Sequence, residues 1–214
     1  MNHGHGFYSV CFCLVRAIAA VFFRLRITGR ENLPEGAAMV CANHSSILDP
    51  FLVALAYGVE CNVHIIAKVE LFKIPIISPI LKKLGMISVN RGILDAATVK
   101  TTLGYLRNGE VIVIFPEGTR VSSDDAISAK TGAVKIAEHA DVPLVPLYIP
   151  RKKALFSYIP LVIGEPYYIK KQPRKRVMED YKRLSATLMD KIKSLNPGNI
   201  TPKIRKTEFG IRCL

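Results

Sequence analysis

Ala38-Met39-Val40-Cys41-Ala42-Asn43-His44-Ser45-Ser46-Ile47-Leu48-Asp49-Pro50 runs five apolar residues straight into a polar octapeptide that ends in proline. The apolar run shows no polar alternation, as expected of a strand covered on both faces. Asp49-Pro50 reads as a helix N-cap followed by proline at the first helical position, where its missing N–H is no loss. His44 and Asp49 therefore fall at the seam between a buried strand and a helix start. Five apart on one helix, they would point away from each other. Across a short loop the carboxylate can turn back to the imidazole, fix its tautomer and favour its protonated form. Such a pair activates a hydroxyl, which need not belong to the protein. The plain alternative is a capping aspartate beside an ordinary loop histidine.

Outward from this stretch, further β-like runs fall at 63–67, 86–90, 111–115, 144–149 and 161–169. Helix-like stretches lie between or after them at 50–57, 76–84, 96–107, 127–139 and 177–194. The alternation predicts an α/β fold with a layered, mostly parallel central sheet flanked by helices. Ligands of such sheets gather outside the carboxyl ends of the strands. Polar residues cluster at those ends. His44 follows the first run, Lys68 the second, Arg91 the third and Glu117-Gly118-Thr119-Arg120 the fourth. One base, its carboxylate and three cations thus converge on one rim.

The chain has 214 residues, enough for one domain with a sizeable core, and 50% of them are hydrophobic, which excludes general disorder. A formal net charge of +13 calls for an anionic partner. Residues 170–206 hold 12 Lys/Arg against 3 Asp/Glu, a local excess of nine. That excess fits a solvated basic helix and tail, or a surface drawn to anionic headgroups. Nucleic acid is not expected, because the aromatics are not interleaved with the charges and no nucleic-acid module is recognisable. The five cysteines form no zinc-type pairs, so no metal site is expected.

Near the N-terminus, an apolar stretch over 7–23 is broken once by Arg16 and followed by Arg24, Arg26 and Arg30. As a helix it would span ~25 Å, short of the ~30 Å hydrocarbon core. It suits a helix lying in the interface, with arginines reaching for phosphates. The expected organisation is a membrane-associating helical segment over 1–30, an α/β domain over 31–195 and a basic tail over 196–214. The expected location is the cytoplasmic face of the cell membrane, peripheral or monotopic.

Phe115-Pro116-Glu117-Gly118-Thr119-Arg120 leaves its strand through a proline that imposes a bend and a glycine that lets backbone approach a ligand. Arg120 offers a planar fork for a phosphate and Thr119 a hydroxyl. Glu117 can orient Arg120 or accept from a ligand hydroxyl. Arg91, closing Gly85-Met86-Ile87-Ser88-Val89-Asn90-Arg91, is a second phosphate candidate.

Taken in order, Asn-His-Ser-Ser-x-x-Asp, Lys68-Val69-Glu70-Leu71-Phe72, Gly85 to Arg91, Phe115 to Arg120 and Val145-Pro146-Leu147-Tyr148 resemble the glycerolipid acyltransferase family. Within it they are most similar to bacterial 1-acyl-sn-glycerol-3-phosphate acyltransferases. The resemblance covers roughly residues 27–169. His44 and Asp49 match the family's His-x4-Asp motif, and Phe115 to Arg120 match its third motif in full. The second motif departs from the pattern, since Val89-Asn90 stands where an aromatic often precedes the arginine.

The resemblance implies transfer of an acyl chain from acyl-CoA or acyl carrier protein to the sn-2 hydroxyl of a lysophosphatidic acid, with no cofactor and no metal. Asp49 would hold the imidazole while His44 takes the hydroxyl proton. Arg91 and Arg120 would clamp the acceptor phosphate, Glu117, Gly118 and Thr119 would shape the glycerol site, and Lys68 would assist with substrate charge. Glycerol 3-phosphate or another lysolipid is an alternative acceptor. An acyl-enzyme route through Ser45 or Ser46 is disfavoured, because a serine one or two residues from its base is poorly placed and no GxSxG elbow exists. A non-enzymatic basic binding protein is the rival of another class.

Overall fold

Every residue of the first apolar run is buried, because this strand lies in the middle of a seven-stranded sheet. The computed structural model describes residues 5–61, 63–90, 95–123 and 129–198. The chain runs α1 (His5–Phe22), β1 (Arg24–Thr28), β2 (Ala38–Ala42), α2 (Asp49–Tyr57), β3 (Val63–Lys68), α3 (Ile77–Lys83) and β4 (Ile87–Val89). It continues through α4 (Ala96–Arg107), β5 (Val111–Ile114), α5 (Gly132–Ala140), β6 (Leu144–Tyr148), β7 (Tyr158–Ile163) and α6 (Met178–Ser194). The sheet order is β1-β7-β6-β2-β5-β3-β4, with every pairing parallel except β6–β7.

The period-2 pleat of β2 divides the core in two. Ala38, Val40 and Ala42 pack with Leu52, Val53 and Ala56 of α2 on one face. Met39 and Cys41 pack with α4, α5 and α6, through Leu106, Ile136 and Leu188, on the other. With helices on both faces, the central strands read as unbroken apolar runs.

Two stretches differ from the sequence reading. Arg24-Leu25-Arg26-Ile27-Thr28 forms the edge strand β1, paired with β7, although its arginines suggest the basic flank of a helix. Its alternation turns Leu25 and Ile27 toward the core and leaves Arg24 exposed. The sheet therefore draws on residues before position 30. The run expected over 161–169 is instead a strand over 158–163. Pro166 cannot donate to a ladder, and beyond it, among the described residues, only the Leu144–Tyr167 bridge restores pairing. Helix α5 starts at Gly132, later than expected, and residues 199–214 of the tail lie outside the described residues. Among the described residues, no helix is long and apolar enough to cross a membrane.

Candidate active site

The site lies beyond the carboxyl ends of three neighbouring strands, β6, β2 and β5. Asn43, 2% exposed, fixes the exit from β2. Its side-chain amide donates to the Ile149 carbonyl at 2.7 Å, and its Oδ1 accepts from the Ile149 N–H at 2.8 Å. A side chain thus continues the β2–β6 pairing by one step and presents His44 at the rim.

The His44 ring stacks on Phe115, with centroids 4.3 Å apart and planes 26° apart. Its Nδ1 lies 2.9 Å from Asp49 Oδ2. The backbone N–H groups of Ser45 and Ser46 donate to the same oxygen at 2.6 and 2.8 Å. The octapeptide therefore folds around one carboxylate oxygen. The capping role expected of Asp49 is corrected here: Leu48 is the N-cap and Asp49 opens α2. Its carboxylate turns back to the loop, away from the helix amides. Ser46, whose carbonyl accepts from Asp49 N–H at 3.2 Å, closes the turn that makes this return possible.

Burial alone would push the Asp49 carboxyl up. Hydrogen bonds from His44, Lys153 and the Ser46 N–H, with the Lys153 charge, hold it below the ordinary carboxylate range. In the tautomer that donates from Nδ1 to Asp49, the lone pair falls on Nε2. Among the described residues no hydrogen bond reaches that nitrogen, and the ring is partly open at 14% side-chain exposure.

Glu117, 4% exposed, does not pair with Arg120. Its Oε1 accepts from Arg151 Nη2 at 2.7 Å, and its Oε2 accepts from the backbone N–H of His44 at 3.1 Å. Arg151 Nη1 also donates to the Val121 carbonyl at 2.8 Å, while the Val121 N–H donates to the His44 carbonyl at 2.8 Å. Glu117 thus ties the β2, β5 and β6 exits together, a reason for a buried acid beside the base that differs from ligand binding. Gly118 holds a positive φ of 67°, and a Cβ there would meet Lys130 Cγ at 3.2 Å. Thr119 and Arg120 are exposed just before the Val121 contact with His44. Lys68 ends β3 and pairs with Glu70 at 3.0 Å. Arg91 lies outside the described residues.

Two residues of the site escape the sequence reading. Arg151 closes the Glu117 bridge, and Lys153 places its Nζ 2.8 Å from Asp49 Oδ1. Their signal is present in Arg151-Lys152-Lys153, a basic run that follows a buried strand toward the same rim.

Residues 24–150 match the Acyltransferase family, which is more than half of the chain, and the chain belongs to that family. It is an acyltransferase. A protein of Bacillus subtilis (strain 168) named 1-acyl-sn-glycerol-3-phosphate acyltransferase is 34% identical over 168 residues, covering 75% of this chain and 82% of the relative. A Mycoplasma pneumoniae protein named probable 1-acyl-sn-glycerol-3-phosphate acyltransferase is 38% identical, covering 58% of this chain and 48% of its own. The chain therefore spans about half the length of that second relative. The crystal structure of the 1-acyl-sn-glycerophosphate (LPA) acyltransferase PlsC from Thermotoga maritima superposes with a TM-score of 0.60 at 25% identity. It covers 89% of this chain and 78% of that structure.

Proposed function

We propose that the protein transfers an acyl chain from a thioester, acyl-CoA or acyl carrier protein, to the sn-2 hydroxyl of 1-acyl-glycerol 3-phosphate, forming phosphatidic acid. The observation that carries this reading is the His44–Asp49 pair, closed at 2.9 Å on the strand rim of an acyltransferase. Asp49 holds the tautomer that leaves Nε2 basic. Nε2 accepts the hydroxyl proton, the oxygen attacks the thioester carbonyl, and the carbon–sulfur bond breaks. The imidazolium then returns its proton to the departing thiolate. General-base help of this kind is worth about 10²–10⁴ in rate, and holding donor and acceptor together supplies much of the rest.

Arg120 and Arg91 are assigned to the acceptor phosphate, with Gly118 and Thr119 beside the glycerol and Lys68 meeting substrate charge. Glu117 is assigned to the frame, since both of its oxygens bond to protein groups.

Membrane association is part of the same reading. Val10, Leu14, Ile18 and Val21 form an exposed apolar stripe along α1. The stripe continues into Leu155 and Phe156, whose backbone is bonded to Phe22, in the loop that also carries Arg151 and Lys153. A bilayer on that surface would bring lipid acceptors beside the site.

Purified protein assayed with acyl-CoA and a panel of phosphate-bearing acceptors tests the reading. His44→Ala should lower turnover about 10²–10⁴-fold with an unchanged fold. Turnover near wild type in that variant would overturn the base assignment.

A further inference from the structure

We infer that Lys153 is a positioning residue whose fixed charge neutralises Asp49, so that this carboxylate serves the His44 ring as a hydrogen-bond acceptor and not as a counter-ion. The inference rests on the proposed role of His44 and deepens it. Lys153 cannot serve as a substrate clamp, because its side chain is only 3% exposed and its contacts are with protein. Its ammonium lies 2.8 Å from Asp49 Oδ1 and donates to Ser45 Oγ at 2.8 Å. The Ser45 hydroxyl donates onward to the Arg151 carbonyl at 3.0 Å, so its oxygen lone pairs face the lysine. A buried ammonium without an anion would be costly. The pair with Asp49, whose side chain has no exposure, is therefore charged on both sides.

The consequence follows from charge balance. Asp49 Oδ2 already receives three hydrogen bonds, from His44 and the Ser45 and Ser46 amides, and Oδ1 faces a full cation. Protonating His44 would place a second cation on one carboxylate. A neutral imidazole donating through Nδ1 satisfies the same oxygen without that repulsion. Among the described residues, the other charged side chains bonded to the His44 backbone are Glu117, from beyond β5, and Arg151, from beyond β6, and these two offset each other at 2.7 Å. Phe115 covers the ring with an apolar face. Lys153 therefore sets the local balance. Without it, His44 becomes the counter-charge of Asp49 and holds a proton that it must lack to act as a base.

The test follows His44 itself. The ring signal of His44, assigned by its loss in His44→Ala, is titrated by NMR in the full chain, in Lys153→Gln and in Lys153→Arg. In Lys153→Gln the His44 midpoint should move up by about one pH unit. Lys153→Arg, which keeps the charge, should leave it near the wild-type position. In kcat/KM the deficit of Lys153→Gln should be about tenfold larger at about pH 6 than at about pH 9. An unmoved or lowered midpoint, or a deficit equal at every pH, would overturn the inference. Should Lys153→Gln fail to fold, Lys153→Arg decides alone: a midpoint displaced as far as one pH unit despite the retained charge counts against it. The titration is read without turnover, so an active His44→Ala would remove the base assignment while leaving the charge balance measurable.

Discussion

At Asp49 one side chain meets three hydrogen-bond donors and an ammonium, and its removal should be felt in stability as well as rate. Asp49→Asn keeps the shape but leaves Lys153 without an anion, and breaking a buried pair this way costs about 3–5 kcal/mol. The pH dependence has a definite sign. The folded carboxyl is held below its ordinary range, so its stabilisation is fully present above about pH 4 and fades as pH falls through the lower folded value. Thermal melts of wild type and Asp49→Asn should differ widely at neutral pH and converge only in acid below about pH 4. A gap that closes between about pH 6 and about pH 8 would point to another group. Arg120 belongs to a different part of the rim, exposed and one residue before the Val121–His44 contact. Arg120→Lys keeps the charge and loses the bidentate fork, so the acceptor KM should rise several-fold with kcat little changed. Steady-state kinetics with the acceptor varied gives the answer, and an unmoved KM would remove Arg120 from the phosphate site.

Among the elements, the β1–β7 edge depends on one backbone approach. Gly29 leaves β1 with φ of 81°, and a Cβ at this position would lie 2.0 Å from the Ile163 carbonyl oxygen. Asn32 Nδ2 donates to the same carbonyl at 2.9 Å. Gly29→Ala therefore combines a left-handed backbone with a clash against backbone that cannot swing aside. The expected loss is above about 1 kcal/mol, read in denaturant melts. Hydrogen exchange should localise the weakening to 24–28 and 158–163, leaving β2, β5 and β6 protected. The contrast follows from position: β1 is an edge strand, whereas the three strands beneath His44 are covered on both faces.

Across the molecule, the charge of +13 and the apolar stripe of α1 belong together in the proposed reading. Replacing Leu14 and Ile18 by Glu puts two carboxylates on the exposed stripe, where neither residue supports the core. Binding to vesicles containing anionic lipid, measured by co-sedimentation, should fall at least about tenfold. Activity on a detergent-dispersed acceptor should fall much less. Equal vesicle binding by the double variant would show that another surface meets the bilayer. The segment over 69–83, which ends in α3, exposes Ile74, Ile76 and Ile80 and would be the next surface to alter.

Local pattern alone was sufficient for the layered, mostly parallel sheet and for the return of Asp49 to His44. Unbroken apolar runs require cover on both faces, and the four residues between His44 and Asp49 are few enough to return a carboxylate to the preceding imidazole. Edge strand β1 was not legible, because its alternating arginines carry the same signal as a basic helix flank. The partners of Glu117 and Asp49 were not legible either. Arg151 and Lys153 lie 34 and 104 positions away in the chain. Only the parallel placement of β6 beside β2 brings them to the rim. A buried charge is balanced by whatever opposite charge the fold delivers within reach, and that distance is a property of the sheet's topology, invisible in the spacing of residues.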